Sequence, residues 1–458
     1  MFKKRKTMQP AKFVLAAFGS VILLGAALLR LDISLEPGYS LSWVDAIFTA
    51  TSATCVTGLV VTDTASTFSS FGEGIILLLI QIGALGITTM STLFLLLLGE
   101  RPSVQSEIIV EDTLGRMHFD IRSVLFYTAS LTLILELVGV LLLTPWLYFS
   151  WHMELGQAFY QALFHTVSAY CNAGFSLYAD SLTRFRGDPY FLTVIMLLIV
   201  LGGLGFVALL NLMQFFLGKR DGRRGPRPRI QLHTQVVLIV TFLLIFAGTI
   251  VFLPLEWSNE FVGLSTLDRW VNAMFQSVTS RTAGFNTIDL GNSRSATLLF
   301  TGFLMSIGGS PGSAAGGIKT TTFFILILVV RAFVSRRDRI VAFGWTIPNR
   351  IVQQAFALFF VAVAWTFSAT FLLLCTETGM EITSQQGLLA RVLFEVLSAF
   401  GTVGLSTGIT SGFSTMGKII LLITMFAGRV GPLTLVLGMS RPDTRRALQY
   451  PEGKISIG

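Results

Sequence analysis

The sequence predicts an all-α polytopic membrane protein of four helix–pore loop–helix repeats, with eight spanning helices, four re-entrant pore loops and pseudo-fourfold symmetry. Three observations predict it: apolar runs of spanning length, basic clusters at the ends of those runs, and one short motif written four times.

Of 458 residues, 53% are hydrophobic and only 13% charged, and the mean hydropathy is +0.72. A charged surface of the usual soluble extent cannot be built from this composition. The apolar residues come in long runs, among them Phe13–Leu29, Gly74–Leu98, Pro189–Leu217, Val236–Leu253, Thr297–Ile307, Thr322–Val330, Ala355–Leu374 and Ile419–Met439. About 20 apolar helical residues cross the hydrocarbon core of a bilayer.

The net charge of +8 is not spread as a nucleic-acid surface would be. Basic residues cluster at Lys3–Lys6, Lys219–Arg229, Arg331–Arg339 and Arg441–Arg446, each at the end of an apolar span. An even number of crossings separates successive clusters. This positive-inside pattern puts both termini in the cytoplasm and makes the lipid bilayer, with no nucleic acid, the expected surroundings. Lys3–Lys6 followed by Phe13–Leu29 also has the makeup of a signal peptide, but the repeat pattern requires this segment as its first helix. Cys55, Cys171 and Cys375 form no CxxC pair, and the four histidines have no metal-ligand spacing. Disulfide framework, zinc site and enzyme are all disfavoured.

The repeat lies between the spans. Phe48 to Gly58, Phe164 to Gly174 and Phe394 to Gly404 are each ten residues, and Phe275 to Gly284 is nine. The four glycines are 116, 110 and 120 residues apart. They divide the chain into repeats at 1–100, 101–218, 219–335 and 336–458. Trp43–Thr54, the segment before the first glycine, would rise only ~18 Å as a helix, too little for a ~30 Å core. Such a segment must dip in and return, and irregular backbone at that depth survives only in protein or beside water. Four of them suggest four walls around one aqueous axis. A filter that replaces an ion's water with backbone carbonyls needs dihedrals that glycine adopts without a Cβ penalty.

The third repeat's second span is interrupted by Gly308-Gly309-Ser310-Pro311-Gly312-Ser313-Ala314-Ala315-Gly316-Gly317-Ile318-Lys319-Thr320. Five glycines and a proline cannot stay helical, so 308–320 is expected to be an intramembrane loop lining the pore. It is no phosphate loop, because Ile318 separates Gly317 from Lys319. The string Gly203-Leu204-Gly205-Phe206-Val207-Ala208 is expected to lie in an unbroken span and serve close helix packing. Arg429 interrupts the last apolar run, where a lone arginine costs about 2.5–3.5 kcal/mol unless it meets water or a partner. A pore-facing place beside the loop is expected. Arg281 and Glu395, in neighbouring short segments, are candidates for an ion pair bracing the filter. Asp63, Asp180 and Asp289 follow their glycines by five or six residues. They either concentrate cations at an outer mouth or solvate outer loops. Glu136 has no partner identifiable in the sequence.

The motifs Val56-Thr57-Gly58-Leu59, Ala173-Gly174-Phe175-Ser176, Ser280-Arg281-Thr282-Ala283-Gly284-Phe285-Asn286-Thr287 and Phe400-Gly401-Thr402-Val403-Gly404-Leu405-Ser406 resemble the Trk/Ktr/HKT superfamily of cation translocators over nearly the whole chain. Lacking a further pair of spans before the first repeat, the chain is more similar to the Ktr membrane subunit than to the longer Trk one. The resemblance implies a selectivity filter at Val56, Thr57, Gly58, Asn172, Ala173, Gly174, Thr282, Ala283, Gly284, Thr402, Val403 and Gly404. With glycine in all four repeats, it implies potassium. It makes the third-repeat loop, with Gly308, Gly309, Ser310, Pro311, Gly312, Ser313, Gly316, Gly317 and Lys319, the gate. It further implies a homodimer in a bacterial cell membrane and a cytosolic RCK-type ring that binds the regulatory nucleotide; the chain itself is expected to carry no cofactor. The alternative is a sodium- or proton-coupled potassium transporter, which needs a buried carboxylate in a span; only Glu136 qualifies.

Overall fold

The computed structural model describes residues 10–85, 121–217, 230–337, 339–377 and 387–431. The N-terminal basic run, the inner segments 86–120 and 218–229, and the tail with its Arg441–Arg446 cluster lie outside the described residues, so the basis for terminal orientation does too.

One order of elements recurs. A long helix comes first (Pro10–Leu29, Ile121–Ser150, Leu232–Glu256, Asn349–Thr376). A short helix follows (Trp43–Thr54, Leu155–Tyr170, Thr266–Thr279, Gly387–Gly401), then a second helix (Ser70–Ala84, Pro189–Leu204, Ser295–Ser306, Thr415–Val430). The chain is an all-α polytopic membrane protein; among the described residues a two-stranded hairpin, Val341–Ala342 with Trp345–Thr346, is the small departure. Phe126–Ser150, Leu232–Glu256 and Asn349–Thr376 are each long and apolar enough to cross a membrane, and Pro189–Leu204 with Phe206–Phe216 makes a fourth if counted as one span.

Local chemistry sets the short helices. Ser42 and Ser265 accept from the backbone N–H of Asp45 and Asp268 at 3.1 and 3.2 Å. The capping serine and the first-turn acid together satisfy and neutralise the helix N-terminus. With 12 to 16 residues, these helices run only ~18–24 Å.

Two expectations are corrected. Gly203–Ala208 does not lie in an unbroken span: the helix stops at Leu204, Gly205 takes φ 81°, and Phe206–Leu217 leaves at a bend of 100°. Glycine is the residue that permits this turn. Likewise, the run Ile419–Met439 is not one helix, since its helix ends at Val430 with Gly431 at φ 87°. Arg429 therefore sits in a last helical turn rather than mid-span.

The helices pack in a cycle. Ser70–Ala84 packs on Leu155–Tyr170, Pro189–Leu204 on Thr266–Thr279, Ser295–Ser306 on Gly387–Gly401, and Thr415–Val430 back on Trp43–Thr54. An ion pair between Lys418 and Asp45, 2.7 Å long, fastens that last contact. The repeated Phe48, Phe164, Phe275 and Phe394 are all buried in the core. Small residues let backbones meet: a Cβ on Gly83, Gly202 or Gly428 would overlap the carbonyl oxygen of Thr54, Tyr170 or Phe400, at the C-terminal end of a short helix. Close approach through glycine is how helices associate where hydrocarbon removes the hydrophobic drive.

Candidate functional site

Beyond each short helix the backbone becomes left-handed twice, two residues apart. The pairs are Val56 (φ 55°) with Gly58 (90°), Asn172 (58°) with Gly174 (71°), Thr282 (72°) with Gly284 (81°), and Thr402 (50°) with Gly404 (94°). Such dihedrals are strained at β-branched Val56, Thr282 and Thr402, so the surroundings must hold them.

One hydroxyl per short helix does so. Ser52 Oγ accepts from the Gly58 N–H at 3.1 Å and Ser398 Oγ from the Gly404 N–H at 3.0 Å. Ser168 and Thr279 instead donate to the carbonyls of Phe175 (2.7 Å) and Phe285 (2.8 Å), just past their glycines. The hydroxyl precedes the glycine by six residues in three repeats and by five in the third, which absorbs that repeat's missing residue. Ser398→Ala would leave a buried N–H unpaired, a loss of about 1–3 kcal/mol. Its thermal midpoint in detergent is expected to fall, with Ser398→Thr closer to the parent. An unchanged midpoint for the alanine variant would remove the clamp.

The four segments close a ring. A Cβ on Gly58 would stand 3.1 Å from the Gly174 Cα, one on Gly174 2.9 Å from the Gly284 Cα, one on Gly284 3.2 Å from the Gly404 Cα, and one on Gly404 3.0 Å from the Gly58 Cα. Four helix C-termini therefore adjoin one axis, and their partial negative charge favours a cation there.

Segment 308–320 lies against this ring. A Cβ on Gly316 would overlap Thr402, and one on Gly308 would stand 3.5 Å from the Thr282 methyl. The Gly308 N–H donates to the Ile318 carbonyl (2.8 Å), and the Thr320 N–H to the Gly309 carbonyl (3.1 Å). Across the break at Gly205, the Ser310 N–H donates to the Gly203 carbonyl and the Phe206 N–H to the Gly312 carbonyl, at 3.0 and 3.2 Å. Two cations hold the tip: Lys319 donates to the Ala315 carbonyl, and Arg429 donates to the Ala314 carbonyl and to that of Gly83. Arg429 thus lies against the loop at Ala314. Its charge is offset by carbonyls at a helix C-terminus, which favours cations.

The expected Arg281–Glu395 pair is not formed. Glu395 accepts from Ser406 Oγ (2.8 Å), the Thr407 N–H (2.8 Å), Thr407 Oγ1 (3.1 Å) and Thr410 Oγ1 (2.7 Å). These donors satisfy its charge within 15 residues along the chain, tying the segment after Gly404 to the short helix. Arg281 turns away to Thr241 Oγ1 on a long helix at 3.4 Å. Of the outer carboxylates, Asp180 pairs with Arg184 at 3.0 Å. Asp289 accepts from the Gly291 N–H and Asn292 Nδ2 at 2.8 Å each. Both hold their own loops. Asp63 occupies the N-cap of Thr64–Thr67 without a side-chain capping bond. Glu136 does have partners: Gln81 Nε2 at 3.3 Å and Cys171 Sγ at 3.7 Å.

A family model described as TrkH, cation transport protein, matches residues 3–445. The chain belongs to this family of cation transport proteins. Among relatives in the family, Ktr system potassium uptake protein B of Bacillus subtilis is 36% identical, over 98% of this chain and 97% of its own length. Potassium/sodium uptake protein NtpJ of Enterococcus hirae is also 36% identical, over 99% and 98%. The crystal structure of the potassium transporter TrkH from Vibrio parahaemolyticus has the same fold, with a TM-score of 0.72 at 19% identity over 97% of this chain and 88% of that one.

In this family member, sequence reasoning missed the clamp hydroxyls, the packing glycines Gly83, Gly202 and Gly428, and the break at Gly205. The first had a legible signal, a Ser or Thr five or six residues before each glycine. The glycines had none, because their partners lie on other helices.

Proposed function

We propose that this chain is the pore-forming, ion-selecting membrane subunit of a Ktr-type potassium uptake system; it is a transporter and not an enzyme. One observation carries the reading: the four glycine segments, spread over the whole chain, meet in a closed ring with a helix C-terminus behind each. In this reading Val56-Thr57-Gly58, Asn172-Ala173-Gly174, Thr282-Ala283-Gly284 and Thr402-Val403-Gly404 form the filter, whose carbonyls take the place of the ion's water. Glycine at all four positions and the potassium uptake named for the Bacillus subtilis relative support potassium as cargo, while the Enterococcus hirae relative is named for potassium and sodium both.

The finer architecture follows the same reading: eight spans and four re-entrant segments about a pseudo-fourfold axis, with repeats at 1–100, 101–218, 219–335 and 336–458. Segment 308–320 is the gate, because a glycine-rich loop can move without disturbing packed helices, and Arg429 is its latch. Asp63, free of capping duty, is the outer-mouth carboxylate best placed to draw cations. The subunit works as a homodimer in a bacterial cell membrane with both termini cytoplasmic. A cytosolic RCK-type ring supplies nucleotide control.

Reconstituted alone in liposomes, the protein is expected to pass potassium and rubidium and to exclude sodium. Equal potassium and sodium fluxes would end the potassium reading. Glu136→Gln in the same vesicles is expected to leave flux unchanged, since Gln81 and Cys171 hold that carboxylate in a structural role. Loss of sodium- or proton-driven uptake in that variant would favour the coupled transporter instead.

A further inference from the structure

A cavity of about 340 Å³ lies between the end of helix Thr320–Val334 and the hairpin Val341–Thr346. Phe324, Leu328 and Phe343 supply its apolar wall, and Arg331, Arg337 and Arg339 its charged rim. Phe324 and Phe343 stack at 6.2 Å with planes 8° apart, a contact that joins the hairpin to the helix across the cavity. Its volume falls within the ~300–1,000 Å³ range of small-molecule sites.

The rim arginines have no ion pair among the described residues. Along 331–339 four arginines stand against one acid, Asp338. Next to them, Phe333, Val334 and Trp345 are 84%, 76% and 66% exposed. Large apolar side chains interleaved with arginines are unfavourable in water but natural where acyl chains meet headgroups. A guanidinium also matches phosphate oxygens in a bidentate fork.

We propose that this cavity binds an anionic phospholipid, with its phosphate on Arg331, Arg337 and Arg339 and an acyl chain against Phe324, Leu328 and Phe343. Basic pockets beside spanning helices recognise headgroups in this way. The exposed Phe333, Val334 and Trp345 favour lipid over a soluble anion, which would leave them in water. Because the helix begins directly after Lys319, the bound lipid anchors the continuation of segment 308–320 to the bilayer.

The test is native mass spectrometry of the full-length protein in detergent, titrated with phosphatidylglycerol or with phosphatidylcholine of the same acyl chains. The parent is expected to retain phosphatidylglycerol preferentially, and combined Arg331→Ala, Arg337→Ala and Arg339→Ala to lower that occupancy at least ~10-fold. The triple Arg→Lys protein, keeping charge but losing the fork, is expected to fall between them. Equal retention of the two lipids by the parent overturns the proposal, and that comparison stands even if the alanine variant does not fold. Displacement of the lipid by millimolar inorganic phosphate overturns it in favour of a soluble anion. Unchanged lipid occupancy with loss of a bound protein partner in the alanine variant makes this face a protein interface and overturns it too.

Discussion

Gly58→Ser is expected to lose about tenfold or more of the preference for potassium over sodium. Gly58 sits at φ 90°, where an L-residue is strained by roughly 1–2 kcal/mol. Any Cβ there would overlap the Ala173 carbonyl oxygen and stand 3.1 Å from the Gly174 Cα. That carbonyl belongs to the neighbouring segment, so it must yield, and the ring transmits the shift to Gly284 and Gly404. About 1.4 kcal/mol of lost discrimination corresponds to a factor of ten. Potassium and sodium fluxes in matched liposomes give the ratio directly. Gly74→Ser is the control, because nothing lies within 4 Å of a Cβ at Gly74. A parental ratio from folded Gly58→Ser protein would take Gly58 out of the filter.

Arg429→Ala is expected to raise basal potassium flux by about tenfold, without any cytosolic partner. The guanidinium bridges the Ala314 carbonyl in the loop and the Gly83 carbonyl on the second helix of the first repeat. Hydrogen bonds to a charged group contribute roughly 1.5–3 kcal/mol each, so losing one to the loop suffices to shift an open–closed balance by a decade. On the proposed gating role, the substitution also removes a positive charge that would repel cations near the ion path. Arg429→Lys keeps the charge but cannot span both carbonyls, and its flux is expected to lie nearer the parent. Removing part of 309–317 acts in the same direction by deleting the latched segment itself. Flux through Arg429→Ala at or below the parental level, from protein shown to be folded and inserted, would place the latch elsewhere.

The chain's periodicities were legible because they are local. Apolar runs announced long helices such as Leu232–Glu256 and Asn349–Thr376, and the Phe-to-Gly spacing announced the short helices and their glycine turns, including the one-residue deficit of the third repeat. The glycine-rich interruption at 308–320 was equally plain, since no neighbour could keep that composition helical. The span through Gly205 read wrongly for the opposite reason. Leucines and phenylalanines on both sides have the same hydropathy whether the helix continues or turns by 100°. Only the docking of Gly312 and Ser310 on the turn distinguishes the two.

Charged residues divide in the same way. The sequence by itself determined that Arg429 and Glu395 must find partners, because an ionised group in an apolar run is too costly alone. Which partners they found, only the tertiary structure decided. Arg429 reaches a carbonyl 346 residues away in sequence, and Lys418 closes the cycle on Asp45 across 373. Glu395 settled instead on donors 11 to 15 residues ahead, leaving Arg281 to Thr241. Hydropathy and spacing fix what each segment requires of its surroundings. The choice among distant groups that could meet the requirement belongs to the packing of the helices, where contacts between remote segments outweigh any preference written within one of them.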